Sequence, residues 1–406
     1  MVNGFTDLVY LREAYKQIHN KYFTSIMLPD EDNINSILRP YIQPWYDSIA
    51  NPQKAQEQVL TDLVQKYSST EYGTSHNADK IASIADYQAT FPIISYSRLI
   101  PYLAQVKERS YKAFLSEPPE CWVMTRGSSG KSKVLPATKT HLKQIYDCGA
   151  RGLINFAVKR KNYSVFLGVI LNLNFPSNVH TMNLEGKEVT YGYSSGTYAR
   201  LNPMFDRVSL LPRQEQIDFL GCGIGRKDWE KRFELAYQMA LDENVTATMG
   251  VTPVILSFGR YVMRNHGKKP SDIWKFQALF CTSVRKIQFK YGPILRKYYG
   301  DVPIVEMYTA TEGAFAQQLD DLPYITPNYD SYLFEVATGK GVKMLHDLKR
   351  GEWGRLIISS CMFPRYDMKD LIEAAGKNYY RIFGRRNTIT LLEHKLYQLF
   401  LGWLIY

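Results

Sequence analysis

Residues 125–133 read Thr125-Arg126-Gly127-Ser128-Ser129-Gly130-Lys131-Ser132-Lys133, a run of small residues and hydroxyls with two lysines at its end. Small residues let backbone N–H groups crowd around an anion, hydroxyls add donors, and lysine brings the opposite charge. Such a stretch suits the phosphates of a nucleotide. A loop of the type G-x-x-x-x-G-K-[ST] shares Gly130-Lys131-Ser132, but Thr125 stands where its first glycine belongs. The continuation Val134-Leu135-Pro136 also opposes it, because that loop opens a helix and an interior proline costs a helix about 3 kcal/mol. A helix opening at Lys133 is therefore not expected. The plainer alternative is a solvated Gly/Ser turn.

Three later clusters carry complementary chemistry. Tyr308-Thr309-Ala310-Thr311-Glu312-Gly313 offers an aromatic ring for a base, a hydroxyl for a phosphate and a carboxylate for Mg²⁺. Asp370, in Arg365-Tyr366-Asp367-Met368-Lys369-Asp370, can accept hydrogen bonds from both ribose hydroxyls. Gly384-Arg385-Arg386-Asn387 is a polar junction whose arginine can meet ribose or phosphate. Taken singly, each has an ordinary alternative: a strand–loop with a solvated Glu, a turn-capping Asp, a basic surface turn.

The elements needed to position these clusters follow from periodicity. The first hundred residues read as mainly helical, with Val59, Leu60, Leu63 and Val64 on one face of Gln53–Tyr67 and a short helix at Arg98–Val106. Thr138 can cap a helix from Thr140 to Ala157, and Ser164–Leu173 reads as a strand. Helices at Glu230–Glu243, Pro253–His266 and Arg285–Tyr299, the last interrupted near Gly292-Pro293, alternate with strands at Val245–Gly250, Phe276–Cys281 and Ile304–Tyr308. That alternation predicts an α/β fold with a mostly parallel sheet flanked by helices. Tyr308–Gly313 then lies at the carboxyl end of a parallel strand, where ligands of open α/β sheets bind. Beyond Gly313, short strands at Phe315–Gln318, Tyr332–Val336, Arg355–Ser359 and Tyr379–Phe383 predict a smaller β-rich part.

Composition narrows the partners. With 45% hydrophobic and 22% charged residues over 406 positions, the chain has the make-up of a soluble globular protein with a large core. Its five cysteines are scattered, which argues against disulfides or zinc and for a reducing cytoplasm. The seven histidines are equally dispersed. The net charge of +11 is spread along the chain without a nucleic-acid-binding signature, so small anionic ligands are expected and nucleic acid is not. No signal peptide is visible, and the apolar run Leu396–Tyr406 is about half the ~20 residues of a membrane span.

Together the four clusters resemble the adenylate-forming superfamily of acyl-CoA synthetases, luciferases and peptide-synthetase adenylation domains. Its loop [ST]-x-G-[ST]-[ST]-G-x-x-K is matched by Thr125, Gly127, Ser128, Ser129, Gly130 and Lys133. The closer resemblance is to the acyl-acid amido synthetase branch, the auxin-responsive Gretchen Hagen family of plants and its microbial relatives. There the loop runs into K-x-[IL]-P, here Lys133-Val134-Leu135-Pro136, and a later motif is close to R-Y-x-x-G-D, here Arg365 to Asp370. Phe91-Pro92-Ile93-Ile94-Ser95-Tyr96 and Tyr191-Gly192-Tyr193-Ser194-Ser195-Gly196 also look like that branch, and the likeness runs from about Tyr72 to Lys395.

The resemblance implies the large N-terminal domain of the acetyl-CoA synthetase-like fold over residues 1–395: a mainly helical region 1–110, an α/β nucleotide-binding core 111–313 and a β-rich part 314–395. It implies ATP and Mg²⁺, a small carboxylic acid as substrate, and an amine (an amino acid) or thiol as acceptor of the acyl group. Lys133, Thr311 and Glu312 would act on the phosphates, with Glu312 as metal ligand. Thr125, Gly127, Ser128, Ser129 and Gly130 would line the phosphate loop. Tyr308, Thr309 and Ala310 would flank adenine, Asp370 would bind ribose, and Arg385 would sit at a hinge. The acyl pocket is expected between Gly250-Val251-Thr252-Pro253 and Thr282-Ser283. Three departures stand out. Arg126 replaces a small residue, either crowding the loop or adding a phosphate contact; Lys369 replaces the glycine before Asp370; and residues 396–406 read as a truncated hinge with no C-terminal domain after it. A catalytically impaired nucleotide-binding protein or partner subunit is the alternative, and a P-loop NTPase a more distant one.

Overall fold

The computed structural model describes residues 31–126, 132–184, 186–203, 210–387 and 390–394. Helices α1 (Glu31–Ala50), α2 (Pro52–Ser68) and α3 (Tyr96–Glu108) come first. α2 begins where Asn51 takes the Lys54 N–H on its side chain and Pro52 occupies a first-turn position that needs no donor. Strands β1 (Pro119–Met124) and β2 (Val134–Thr138) then pair antiparallel on either side of residues 127–131. Thr138 accepts the His141 N–H at 3.3 Å and starts α4 (Lys139–Arg160).

After α4 come β3 (Val169–Leu171), β4 (His180–Leu184), β5 (Lys187–Tyr193), α5 (Ser194–Leu201), β6 (Leu210–Leu211), α6 (Arg226–Ala240), β7 (Val245–Val251), α7 (Thr252–His266) and β8 (Ala278–Thr282). The rest comprises α8 (Gly292–Tyr299), β9 (Ile304–Ala310), β10 (Gly313–Gln317), β11 (Thr326–Pro327), β12 (Leu333–Thr338), β13 (Gly341–Met344), β14 (Trp353–Ser359), β15 (Tyr366–Gly376) and β16 (Tyr379–Arg385).

The strands form three sheets. The central one has the order β11-β10-β9-β8-β7-β3-β6, parallel from β9 to β6 and antiparallel at β10 and β11. A four-stranded mixed sheet, β2-β1-β5-β4, carries the glycine-loop hairpin, and a five-stranded antiparallel sheet, β13-β12-β14-β15-β16, follows. Pro136 lies on the edge strand β2, where a missing N–H leaves no inward ladder bond unmade. The loop thus continues into a strand, and no helix opens at Lys133.

Helices cover both faces of the central sheet. Phe233, Ile255, Phe258, Val262 and Leu295 pack with Leu279, Cys281 and Ile304 on one face. Leu38, Ile42 and Trp45 of α1, with Ile154 and Phe156 of α4, pack with Phe280, Val305 and Met307 on the other. A third core joins α2 and α3 to the five-stranded sheet. Several boundaries differ from expectation. The strand expected over Ser164–Leu173 is confined to Val169–Leu171, because Tyr163–Phe166 is a helical turn whose Val165 carbonyl is taken by the Thr246 hydroxyl at 2.9 Å. α6 begins earlier than its apolar periodicity suggested, since Asp228 takes the Gly225 N–H at 3.0 Å. Ahead of α8, Ile287–Tyr291 forms a wider π-type turn, and the interruption falls at Gly292-Pro293 as expected.

Candidate active site

The site lies where the three sheets meet. Lys133 enters β2 from the four-stranded sheet, Glu312 sits in the turn between β9 and β10, and Tyr366 opens β15. The Lys133 ammonium donates to Glu312 Oε1 at 3.1 Å and to the Tyr366 hydroxyl at 2.8 Å, and that hydroxyl donates to the same Oε1 at 3.2 Å. Glu312 is buried. The rings of Tyr96 and Tyr366 lie 5.5 and 5.3 Å from the Lys133 ammonium. Burial, and next the Glu312 carboxylate, push the Tyr366 phenol well above its ordinary range, so it stays a donor.

A second cluster stands beside the first. Asp370 and Arg385 are cross-strand partners in β15 and β16, and the Arg385 guanidinium donates to Asp370 Oδ1 at 3.0 Å. Tyr308 donates its phenol proton to Oδ2 at 2.7 Å. Burial pushes the Asp370 carboxyl upward, while Arg385 and the Tyr308 hydroxyl oppose that shift.

Thr125 forms the neck of the glycine loop: its N–H donates to the Lys133 carbonyl at 2.9 Å and its hydroxyl accepts the Lys133 N–H at 3.0 Å. Thr309 shares a 2.8 Å hydroxyl contact with Thr282, and Ala310 is half-buried at the end of β9. Thr311 is buried, its hydroxyl 2.8 Å from that of Ser194. A Cβ on Gly313 would stand 2.5 Å from the Phe315 ring, so any larger residue there would have to displace that buried ring. Gly127, Ser128, Ser129 and Gly130 lie outside the described residues. Val251 and Thr282 are register partners at the ends of β7 and β8, and the Thr252 hydroxyl donates to the Thr282 carbonyl at 2.8 Å. The segment expected to line an acyl pocket thus shares this end of the sheet.

Two of the departures have a local setting in the structure, whereas residues 396–406 lie outside the described residues. Arg126 places its guanidinium over the Phe175 ring at 5.4 Å. Lys369 itself adopts the left-handed conformation, φ 61°, that a glycine would take before Asp370. It falls in a bulge opposite β14, between the register pairs Ile357–Asp367 and Arg355–Leu371. Tyr366, Tyr96, Ser194 and Tyr198 join the site without having been singled out for it. Tyr366, Tyr96 and Ser194 lie in the segments Arg365–Asp370, Phe91–Tyr96 and Tyr191–Gly196, and Tyr198 sits one helical turn after Ser194.

Among the described residues no group of three or more His, Cys, Asp and Glu side chains gathers as a metal cage. Mg²⁺ commonly takes one or two carboxylates together with substrate phosphates, so the single carboxylate of Glu312 fits it as part of a nucleotide complex. Among the described residues no helix is long and apolar enough to cross a membrane, and the five cysteines form no disulfide.

Residues 42–252, a little over half of the chain, match the GH3 family N-terminal domain. The chain belongs to the GH3 family. A 94-residue segment of this GH3 chain is 29% identical to the indole-3-acetic acid-amido synthetase GH3.8 of Oryza sativa subsp. indica, and it spans 23% of this chain and 16% of that protein. In fold, the GH3 chain is similar to the AtGH3.15 acyl acid amido synthetase in complex with 2,4-DB, with a TM-score of 0.69, 13% identity, and coverage of 89% of this chain and 72% of that one. It is also similar to 2-hydroxyisobutyryl-CoA ligase in the postadenylation state with 2-HIB-AMP, with a TM-score of 0.58, 13% identity, and coverage of 82% and 67%. The expected fold, mixed α/β with a smaller β-rich part, is therefore the one found.

Proposed function

We propose that this GH3 chain activates a carboxylic acid with ATP, giving an acyl-adenylate and pyrophosphate, for transfer of the acyl group to an amine or thiol. The observation that carries this reading is the convergence of Lys133, Glu312, Tyr308 and Asp370, from three separate sheets, at the carboxyl ends of parallel strands. Family membership supports it.

In this reading the substrate carboxylate attacks the α-phosphorus of ATP. The new acyl–phosphate bond forms as the bond to the β-phosphate oxygen breaks, and that electron pair leaves with pyrophosphate. Lys133 supplies positive charge to the phosphates, and the Thr311 hydroxyl meets the α-phosphate. Asp370 accepts from the ribose hydroxyls, already oriented by Tyr308 and Arg385, while Tyr308, Thr309 and Ala310 flank the adenine. Glu312 would hold Mg²⁺ with the phosphates, and the ion when bound offsets their charge. No side chain needs to form a covalent bond; orientation and fixed charge lower the barrier. The loop residues Gly127, Ser128, Ser129 and Gly130 would add backbone and hydroxyl donors, and residues 1–395 would act as one adenylation domain.

Carboxylate-dependent exchange of labelled pyrophosphate into ATP tests the reading. Exchange is expected with at least one acid of a broad panel and is expected to vanish in Glu312→Ala and Asp370→Ala. A folded chain that exchanges nothing across the panel would overturn it.

A further inference from the structure

Thr311 is held from two sides by one helix, and behind that helix stands a buried imidazole with no part in the reaction above. Ser194, at the start of α5, meets the Thr311 hydroxyl at 2.8 Å. Tyr198, one turn later on the same face, donates its phenol proton to the Thr311 carbonyl at 2.8 Å. His141, in the first turn of α4, places Nε2 3.2 Å from the Tyr198 oxygen and is 1% exposed.

The proton inventory assigns the tautomer. Tyr198 has one proton and gives it to Thr311, so toward His141 its oxygen can only accept. Nε2 therefore carries the ring proton and Nδ1 is bare. Nδ1 finds no partner among the described residues, a cost that a phenylalanine or leucine of similar volume would not incur. Burial pushes the imidazole down to about 4, against the pull of the Thr311 backbone and the Glu312 carboxylate, so the ring is neutral at neutral pH.

We propose that His141 is a positioning residue for Thr311: its Nε2–H holds the Tyr198 oxygen, commits the phenol proton to the Thr311 carbonyl, and so fixes the peptide that carries Thr311 and Glu312. This rests on the reaction proposed above, in which Thr311 and Glu312 face the phosphates.

Pyrophosphate-exchange kinetics of His141→Phe, His141→Gln, Tyr198→Phe and the double variant His141→Phe/Tyr198→Phe test it, alongside urea denaturation and ¹⁵N shifts of the His141 imidazole. His141→Phe is expected to lower kcat about tenfold with the KM for the acid nearly unchanged, as misplacement of a fixed group does. His141→Gln, whose amide can restore a donor near Nε2, is expected to recover most of the rate. The double variant should be no slower than Tyr198→Phe alone. In the unaltered protein Nε2 should show a protonated shift and Nδ1 an unprotonated one. A folded His141→Phe with undiminished kcat, a glutamine variant as slow as the phenylalanine one, additive losses, or the reversed nitrogen pattern would each overturn the inference. If the unaltered chain exchanges no pyrophosphate, the proposed reaction falls, and the His141–Tyr198 assignment is judged by the nitrogen shifts.

Discussion

The ammonium of Lys133 and the carboxylate of Glu312, 179 positions apart in the chain, meet at 3.1 Å with the Tyr366 hydroxyl bonded to both. The Glu312 side chain is 7% exposed, so removing Lys133 leaves an acid with too little water to solvate it. Lys133→Ala is expected to lose about 2 kcal/mol of stability, less than a fully buried pair would because Lys133 reaches water. Lys133→Ala/Glu312→Gln should regain much of that loss in urea denaturation. A double variant no more stable than Lys133→Ala would show that the two side chains are not coupled.

Asp370 takes its hydrogen bonds from Tyr308 and Arg385. On the proposed function, Asp370→Asn should raise the KM for ATP in the exchange assay about tenfold, the scale of a charge-assisted hydrogen bond lost. Tyr308→Phe removes only one of its supports and should cost about threefold. Unchanged ATP dependence in Asp370→Asn would take the ribose role from this residue.

At position 369 a lysine holds a backbone conformation that glycine adopts freely. Lys369→Gly should remove steric strain and lose some of that gain to the greater freedom of the unfolded chain, for a net stabilisation of about 0.5–1 kcal/mol. The midpoint of urea denaturation measures it. A destabilised Lys369→Gly would mean that the lysine side chain contributes more than its backbone costs.

Arg365 belongs to the same motif as Asp370 but faces the other way. Its guanidinium donates to both Glu335 oxygens at 3.0 and 2.9 Å and to the carbonyls of Gln88 and Phe91, fully buried. Arg365→Met leaves the buried Glu335 carboxylate without its counter-charge, with the Gln88 amide still donating to Oε1 at 2.9 Å, and should cost about 3 kcal/mol. Its effect belongs in stability: exchange activity per folded molecule should change little, and a selective loss of activity at full stability would contradict this assignment.

The strands at the site were legible where period and punctuation agreed. β7, β8 and β9 are short apolar runs separated by helices, and they stand close to where periodicity put them. β15 was not legible as a strand, because Asp367 and Lys369 interrupt its apolar alternation and the bulge at Lys369 breaks the period of two. β4 and the start of β5 are polar on both sides and lie half in water, so no buried face announced them. Lys133, Glu312 and Asp370 could be picked out because their types and order carry chemistry. Tyr366 and Ser194 could not, since their parts in the site depend on partners 233 and 117 positions away.

Glu306 provides a pH dependence independent of any ligand. It sits on β9 beside Cys281 of β8, and burial pushes its carboxyl from 4.5 up to about 7. The unfolded chain releases this proton near 4.5 whereas the fold keeps it up to about 7, so stability falls as pH rises from about 4.5 to about 7 and is level above that. Glu306→Gln should match the unaltered chain at pH 4 and exceed it by about 2–3 kcal/mol at pH 8. Parallel denaturation curves at the two pH values, with no widening gap, would show that the carboxyl is already ionised in the fold.

Because Lys133, Glu312 and Tyr366 come from three different sheets, the site doubles as a test of complete assembly. A half-folded intermediate or a proteolytic piece with one sheet undocked lacks at least one member of the cluster. A ligand that needs all three side chains favours the docked molecule, and its binding stabilises the docked sheets according to its concentration relative to its Kd. A nucleotide taken up by this chain would act as a selective chaperone for its own receptor, rescuing variants whose defect lies in docking and leaving those with a collapsed single sheet untouched.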